Sequence, residues 1–321
     1  MSNSSIYSDI ATRTGGDIYI GVVGPVRTGK STFIKRFMDS VVLPNMEDDE
    51  DLYRRERAKD ELPQSGSGKT IMTTEPKFIP ENAVKITLPD NASFNVRMID
   101  CVGYIVPSSL GYIEGDMPRM VRTPWYENEI PFNMAAEVGT KKVITEHSTI
   151  GLVITTDGSI SDIPRAEYEE AEERVIRELK EINKPFVVLL NCMYPDSPAA
   201  LEMSRKLTEK YSVSVIPVNC LDMTDEEIRE ILKAVLMEFP IREISIRVPS
   251  WMSSLSAEHN IKRDLFRAVR NYAENLSCIR NVSDMCTSLA NEDYIITATV
   301  NDVSLGDGKA CITAQITNAV F

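Results

Sequence analysis

Along the first 240 residues, short apolar runs alternate with longer stretches whose apolar positions recur at helical spacing. The run at 17–24, DIYIGVVG, is rich in β-branched residues and ends at glycine, which predicts a strand buried on both faces. From 31 to 40 the apolar residues Phe33, Ile34, Phe37 and Met38 share one helical face. Strands are likewise predicted over 83–88 and 94–99, with turn-forming residues at 89–92 between them, and over 149–156, 185–190 and 213–218. Helices are predicted over 163–182, 199–211 and 225–239. Asp162 is the expected cap of the first of these, with Pro164 in its opening turn. Strands and helices alternating at these lengths predict an α/β fold, a mostly parallel sheet with helices on both faces.

Two stretches interrupt this rhythm. Residues 44–81 hold an acidic run at 47–51 and the polar segment QSGSGKTIMTTEP, and predict a short solvated helix followed by an irregular loop. Residues 101–149 are punctuated by glycine and proline with little periodicity, and so long a connection within one domain marks a functional loop. Near Pro240 the character changes. Ile244, Ile246 and Val248 alternate with Ser245 and Arg247, as in a half-buried strand. A helix over 257–276 follows, then strands over 293–303 and 309–319 around the hairpin signal Gly306-Asp307-Gly308. The expected organisation is a polar tail over 1–16, an α/β domain over 17–240 and a smaller α+β unit over 241–321.

Charge narrows the function. Across 321 residues, Lys+Arg 35 against Asp+Glu 48 leaves a formal charge of −13, which argues against broad binding to nucleic acid or anionic lipid. No run approaches the ~20 apolar residues of a bilayer span. The first fifteen residues lack both a basic start and an apolar run, so no secretory signal is expected. Six scattered cysteines without a C-x-x-C pair read as reduced thiols of a cytoplasmic protein. The two histidines, His147 and His259, are far apart in sequence, which leaves zinc and Ser-His-Asp chemistry without support.

The chemistry concentrates after the first strand. Gly24-Pro25-Val26-Arg27-Thr28-Gly29-Lys30-Ser31 satisfies G-x-x-x-x-G-K-[ST], with Thr32 next in the helix. A strand delivers the chain into the loop, glycines let backbone N–H groups approach phosphate, and the following helix start favours an anion. Lys30 is expected on the β- and γ-phosphates and Ser31 on Mg²⁺. The cluster Ser65-Gly66-Ser67-Gly68-Lys69-Thr70 has Pro63 at its first glycine position and no flanking strand or helix, and reads as a loop. A nucleotide switch needs a hydroxyl on a mobile loop to meet Mg²⁺ and the γ-phosphate, and the Thr73-Thr74 pair is the first choice for it, with Thr70 in reserve. Asp100, at the end of a strand and three residues before Gly103, is the expected second metal-side group, and the Gly103 N–H an expected γ-phosphate donor. Tyr104 follows, where small GTPases carry the glutamine that orients water.

Guanine selection in such proteins uses N-K-x-D at the end of a late strand. Here that strand ends in Asn191-Cys192-Met193-Tyr194, with the asparagine kept and the lysine and aspartate absent. Without the carboxylate, guanine loses its charge-assisted hydrogen bonds, and the expected nucleotide is ATP.

The segments GVVGPVRTGKSTFIKRFMDSVVLPNM, TIMTTEPKFIP, MIDCVGY and PFVVLLN together resemble the stage IV sporulation protein A family. The resemblance implies a GTPase-like P-loop fold that hydrolyses ATP with Mg²⁺ and uses the energy to build the base layer of the spore coat on the forespore surface. It implies phosphate contacts for Lys30 and its loop, a Walker-B role for Asp100 and sensor roles for Thr73 and Thr74. It implies further copies of the chain, a small membrane-bound docking peptide and other coat proteins as partners, no nucleic acid, and only indirect contact with the membrane. Members of the family are longer, so the unit over 241–321 is expected to be incomplete. Two other readings stand beside this one: a GTP-hydrolysing switch of the ribosome-assembly type, and a scaffold that nucleotide merely stabilises.

Overall fold

Residues 6–46, 76–87, 93–109, 111–114, 117–256, 258–274 and 276–317 are described by a computed structural model. In it, the apolar runs up to residue 218 lie side by side in one six-stranded sheet. In chain order the elements are helix α1 (Ile6–Thr14), β1 (Asp17–Val23), α2 (Lys30–Phe37), β2 (Lys77–Thr87) and β3 (Ser93–Asp100). The connection that follows holds the short pairs β4 (Ile113–Glu114) with β5 (Met117–Pro118) and β6 (Met120–Val121) with β7 (Ile130–Pro131). Then come α3 (Phe132–Lys142), β8 (Ile150–Thr156), α4 (Glu169–Glu181), β9 (Phe186–Asn191), α5 (Pro198–Tyr211), β10 (Val215–Val218) and α6 (Asp225–Met237).

The sheet order is β10-β9-β8-β1-β3-β2. Every pairing is parallel except β2 with β3 at the edge. Every residue of β8 and of β9 is buried. Successive strand residues point to opposite faces, so complete burial means cover on both. On one face Val153, Val188 and Leu190 pack in a cluster with Phe132 and Ala135 of α3, Val175 and Leu179 of α4, and Leu207 of α5. Each such Val, Leu or Phe side chain contributes on the order of 1.5–3 kcal/mol by leaving water, which makes the sheet the rigid frame for the loops at its ends.

Residues 14–235 form one compact unit; residues through Arg13 and from Leu236 onward form another. In the second, β11 (Glu243–Arg247), α7 (Asn260–Glu274), α8 (Val282–Leu289), β12 (Ile295–Ser304) and β13 (Lys309–Ile316) build a three-stranded sheet of order β11-β13-β12. Its apolar cluster joins Ile261 and Leu265 of α7, Met285 and Leu289 of α8, and Ile312 and Ile316 of β13.

Several expectations change. The polar tail carries α1, whose Arg13 guanidinium donates to the Pro240 carbonyl at 2.6 Å and lies over the Phe239 ring. The connection at 101–149 contains α3, a helix the sequence reading lacks. Strand β2 starts at Lys77, six residues earlier than expected, because a register shift between Ile79 and Val84 breaks its alternation. Asp162 caps nothing: the chain enters through a 3-10 turn, Arg165–Tyr168, behind Pro164, with no side-chain cap. The acidic run at 47–51, the expected turn at 89–92, and Thr70, Thr73 and Thr74 lie outside the described residues.

Candidate functional site

The phosphate loop leaves β1 at Gly24 and enters α2 at Lys30. Gly29, φ 94°, is the residue before the helix, and a Cβ there would lie 2.3 Å from the Asn191 amide nitrogen. Only glycine fits that turn. Arg27, by contrast, holds φ 62° with a full side chain. The other non-glycine residues with positive φ among the described residues, Asn183 and Ser212, follow the ends of α4 and α5, where left-handed backbone is routine. For Arg27, within a loop, the conformation costs roughly 1–2 kcal/mol.

Lys30 is buried, and its ammonium donates to the carbonyls of Pro25 at 2.6 Å and Gly24 at 3.5 Å. Burial pushes its pKa down, against the pull of Cys101 and Asp100. The Ser31 hydroxyl donates to Asp100 Oδ2 at 2.8 Å. Burial pushes the Asp100 carboxyl up, opposed first by Lys30 and then by the Ser31 hydrogen bond. Its other oxygen, Oδ1, is buried with no hydrogen-bond partner. A buried carboxylate oxygen left so is costly unless a donor or a cation meets it.

These features fit Mg²⁺. The unpartnered Asp100 oxygen and the adjacent Ser31 hydroxyl are hard oxygen donors in contact with one another, and Mg²⁺ takes one or two such protein groups plus phosphate oxygens and water. With Ser31 and Asp100 as protein ligands, a Mg²⁺ ion here would keep further positions for phosphate oxygens and water.

Gly103 closes the same corner. With φ 89°, a Cβ on it would sit 2.2 Å from the Gly24 carbonyl oxygen and 2.6 Å from Lys30 Nζ. Tyr104 is stitched to the loop by its backbone: its N–H donates to the Gly24 carbonyl at 3.2 Å, and its carbonyl accepts from Val26 at 2.9 Å. Its hydroxyl donates to Glu178, its ring lies under the Arg174 guanidinium, and Arg174 pairs with Glu137 at 2.7 Å. The residue in the place of a water-orienting glutamine is thus committed to α3 and α4. Beside it opens a cleft of about 320 Å³ lined by Tyr104, Val106, Tyr112, Glu137, Glu167 and Arg174, among others.

On the opposite flank, Asn191 ends β9 inside the protein. Its amide nitrogen donates to the Thr28 carbonyl at 2.9 Å and its oxygen accepts from the Cys220 N–H at 3.1 Å. Asn191 thus braces the phosphate loop to the loop after β10. That loop and the one after β9 meet through Asn219 and the Met193 carbonyl, and Met193 N–H donates to Ser159. Tyr194 and Leu221, 70% and 77% exposed, stand on these two loops.

The structure therefore brings Lys30, Ser31, Asp100, Gly103 and the loop 24–31 together, with Thr32 in the first turn of α2. Sequence reasoning missed the structural parts of Tyr104 and Cys220. Tyr104 carried a signal, its place after Gly103; Cys220 carried none.

Residues 1–240 match the model of the stage IV sporulation protein A ATPase domain, and residues 241–321 that of the same protein's middle domain. Curated stage IV sporulation protein A of Clostridioides difficile (strain 630) is 47% identical over 319 residues, 99% of this chain and 64% of that one. The Bacillus subtilis (strain 168) protein is 48% identical over 310 residues, 97% of this chain and 62% of its own length. This chain thus spans less than two thirds of these relatives. Among solved structures, a variant of SsGBP aligns at 17% identity and TM-score 0.37, covering 70% of this chain and 56% of that one. Elongation factor SelB of Methanococcus maripaludis, in complex with the GTP analogue GppNHp, aligns at 10% identity and TM-score 0.38, covering 71% and 35%.

Proposed function

The chain belongs to the stage IV sporulation protein A family, and we propose that it is a Mg²⁺-dependent ATP hydrolase whose turnover drives its own assembly into the base layer of the spore coat, at the forespore surface. The observation that carries this reading is the metal corner: a phosphate loop ending in Lys30 and Ser31, with the Ser31 hydroxyl on one Asp100 oxygen and the other oxygen buried and unpartnered.

In the proposed reaction the loop N–H groups and Lys30 hold the β- and γ-phosphates, while Ser31 and Asp100 are the protein's share of the Mg²⁺ shell. When bound, Mg²⁺ offsets the charge that builds on the phosphate oxygens. ATP is favoured because Tyr194 stands where N-K-x-D has its aspartate, which leaves guanine without a carboxylate at that position, and Asn191 itself has both ends of its amide on backbone groups. The exposed Tyr194 and Leu221 offer apolar surface at the strand ends, where nucleotides bind in open α/β sheets. Self-association, a membrane-bound docking peptide and other coat proteins complete the proposal. Among the described residues no helix is long and apolar enough to cross a membrane, so a docking peptide is the proposed route to one.

Turnover and light scattering followed together test the coupling. ATP should produce phosphate release and assembly, and a non-hydrolysable analogue neither. Assembly unaffected by the analogue would leave nucleotide as a mere stabiliser.

A further inference from the structure

We propose that Arg27 is a catalytic residue of this site, whose guanidinium engages the oxygens of the γ-phosphoryl group as it is transferred to water. The proposal rests on the ATP-hydrolase reading and adds to it a second cationic side chain beside Lys30.

The backbone is the first observation. The loop uses glycine at Gly24 and Gly29, where φ is positive, yet carries arginine at φ 62° between them. If the backbone alone mattered, glycine would adopt that conformation without strain. A bulky side chain held there, in a loop built to wrap phosphate, is the kind of outlier that points to a task for the side chain.

The second observation is how the neighbouring groups are used. Tyr104, after Gly103, is engaged by Glu178 and covered by Arg174, which is itself paired with Glu137 and Glu178. Arg165 is bound to the buried Glu172 at 2.7 Å. Lys30 and Arg27 are the cations of the loop itself. One ammonium and a divalent metal leave the bridging and equatorial oxygens short of the planar, two-pronged donor that phosphoryl transfer uses elsewhere.

The third is the electrostatic surroundings of the loop. Burial pushes the Tyr168 phenol up, opposed first by its hydrogen bond with Ser161, at 2.9 Å, and then by the positive charge of Arg27.

In the step itself, a water oxygen bonds to the γ-phosphorus as the bond from that phosphorus to the β–γ bridging oxygen breaks. The electron pair stays on the ADP oxygen and the water proton passes to a phosphate oxygen. Negative charge shifts toward the bridging oxygen, where a loop-borne guanidinium meets it.

The test compares the whole chain with Arg27→Gly and Arg27→Lys. Arg27→Gly should keep or raise the melting temperature, because glycine relaxes the φ. It should bind ATP within about threefold of the unaltered chain, yet lose turnover by roughly 10³-fold. Added guanidinium at low millimolar concentration should restore part of that turnover. Arg27→Lys keeps the charge without the fork and should fall at least about tenfold. Turnover of Arg27→Gly within about threefold of the unaltered chain overturns the proposal. Lost turnover with a lowered melting temperature and no guanidinium rescue also overturns it, as it marks a packing role. If Arg27→Gly does not fold, Arg27→Lys decides, and full turnover in it refutes the proposal. An unaltered chain that fails to bind ATP would instead sink the underlying reading.

Discussion

On one flank of the phosphate loop, Asn191 has both ends of its amide occupied, by the Thr28 carbonyl and the Cys220 N–H. On the other, Asp100 accepts one hydrogen bond from Ser31 and keeps its second oxygen buried without a partner. Both residues end strands of the same sheet, both are buried, and both lie beside the loop. The difference is in what remains unsatisfied. A polar group paired at both ends within the protein holds shape; one left unpaired in the interior carries a cost that a ligand or cation can relieve. The Asn191 flank therefore braces the loop, and the Asp100 flank is the proposed place of ligand and metal.

Substitutions on the two flanks should separate along that line. Lys30→Ala has the largest expected effect: with the buried cation gone, ATP affinity should fall by at least roughly 10³-fold in a binding titration. Asp100→Asn comes next. Turnover should drop by roughly 10²-fold or more, and Mg²⁺ chelation should produce a comparable loss in the unaltered chain. The stability sign is opposite. Burial raises the Asp100 pKa, so the folded protein holds that proton more tightly than the unfolded chain does. Without nucleotide, the fold gains stability as pH falls through the raised value, and the neutral side chain of Asp100→Asn should raise the melting temperature at neutral pH.

Asn191→Ala should invert that pattern, losing about 1–3 kcal/mol of stability by orphaning a buried carbonyl and a buried N–H. Its effect on ATP affinity should be smaller, about tenfold, by loosening the loop. Calorimetric melting paired with binding distinguishes it from Asp100→Asn. Tyr104→Phe has the smallest expected effect. It removes one hydrogen bond to Glu178, which keeps Arg174, so stability should fall by at most about 1 kcal/mol. Its turnover should stay within about threefold, and a hundredfold loss would move Tyr104 from the scaffold to the reacting flank.

The reacting flank was the more legible from sequence. Gly24 to Ser31 is a contiguous pattern, and Asp100 and Gly103 follow a strand that reads plainly from its apolar run. The scaffold flank depends on Cys220, twenty-nine residues from Asn191, which only the parallel pairing of β9 with β10 brings near. Helix α3 was hidden because its buried face is made largely of small groups, Ala135, Ala136, Gly139 and Thr140, which give little contrast with loop sequence. Strand β2 was shortened by its own irregularity at 80–83, and α1 offered only Ile6 and Ile10 as an apolar stripe. In β11 the alternation read correctly, because one covered face leaves a period of two.

The central claim is a nucleotide site built for ATP with Mg²⁺, and calorimetric titration of the purified chain with ATP and with GTP tests it most directly. One ATP per chain should bind at least about tenfold more tightly than GTP, and binding should disappear in Lys30→Ala. Equal or tighter binding of GTP, or ATP binding that survives the loss of Lys30, would contradict it.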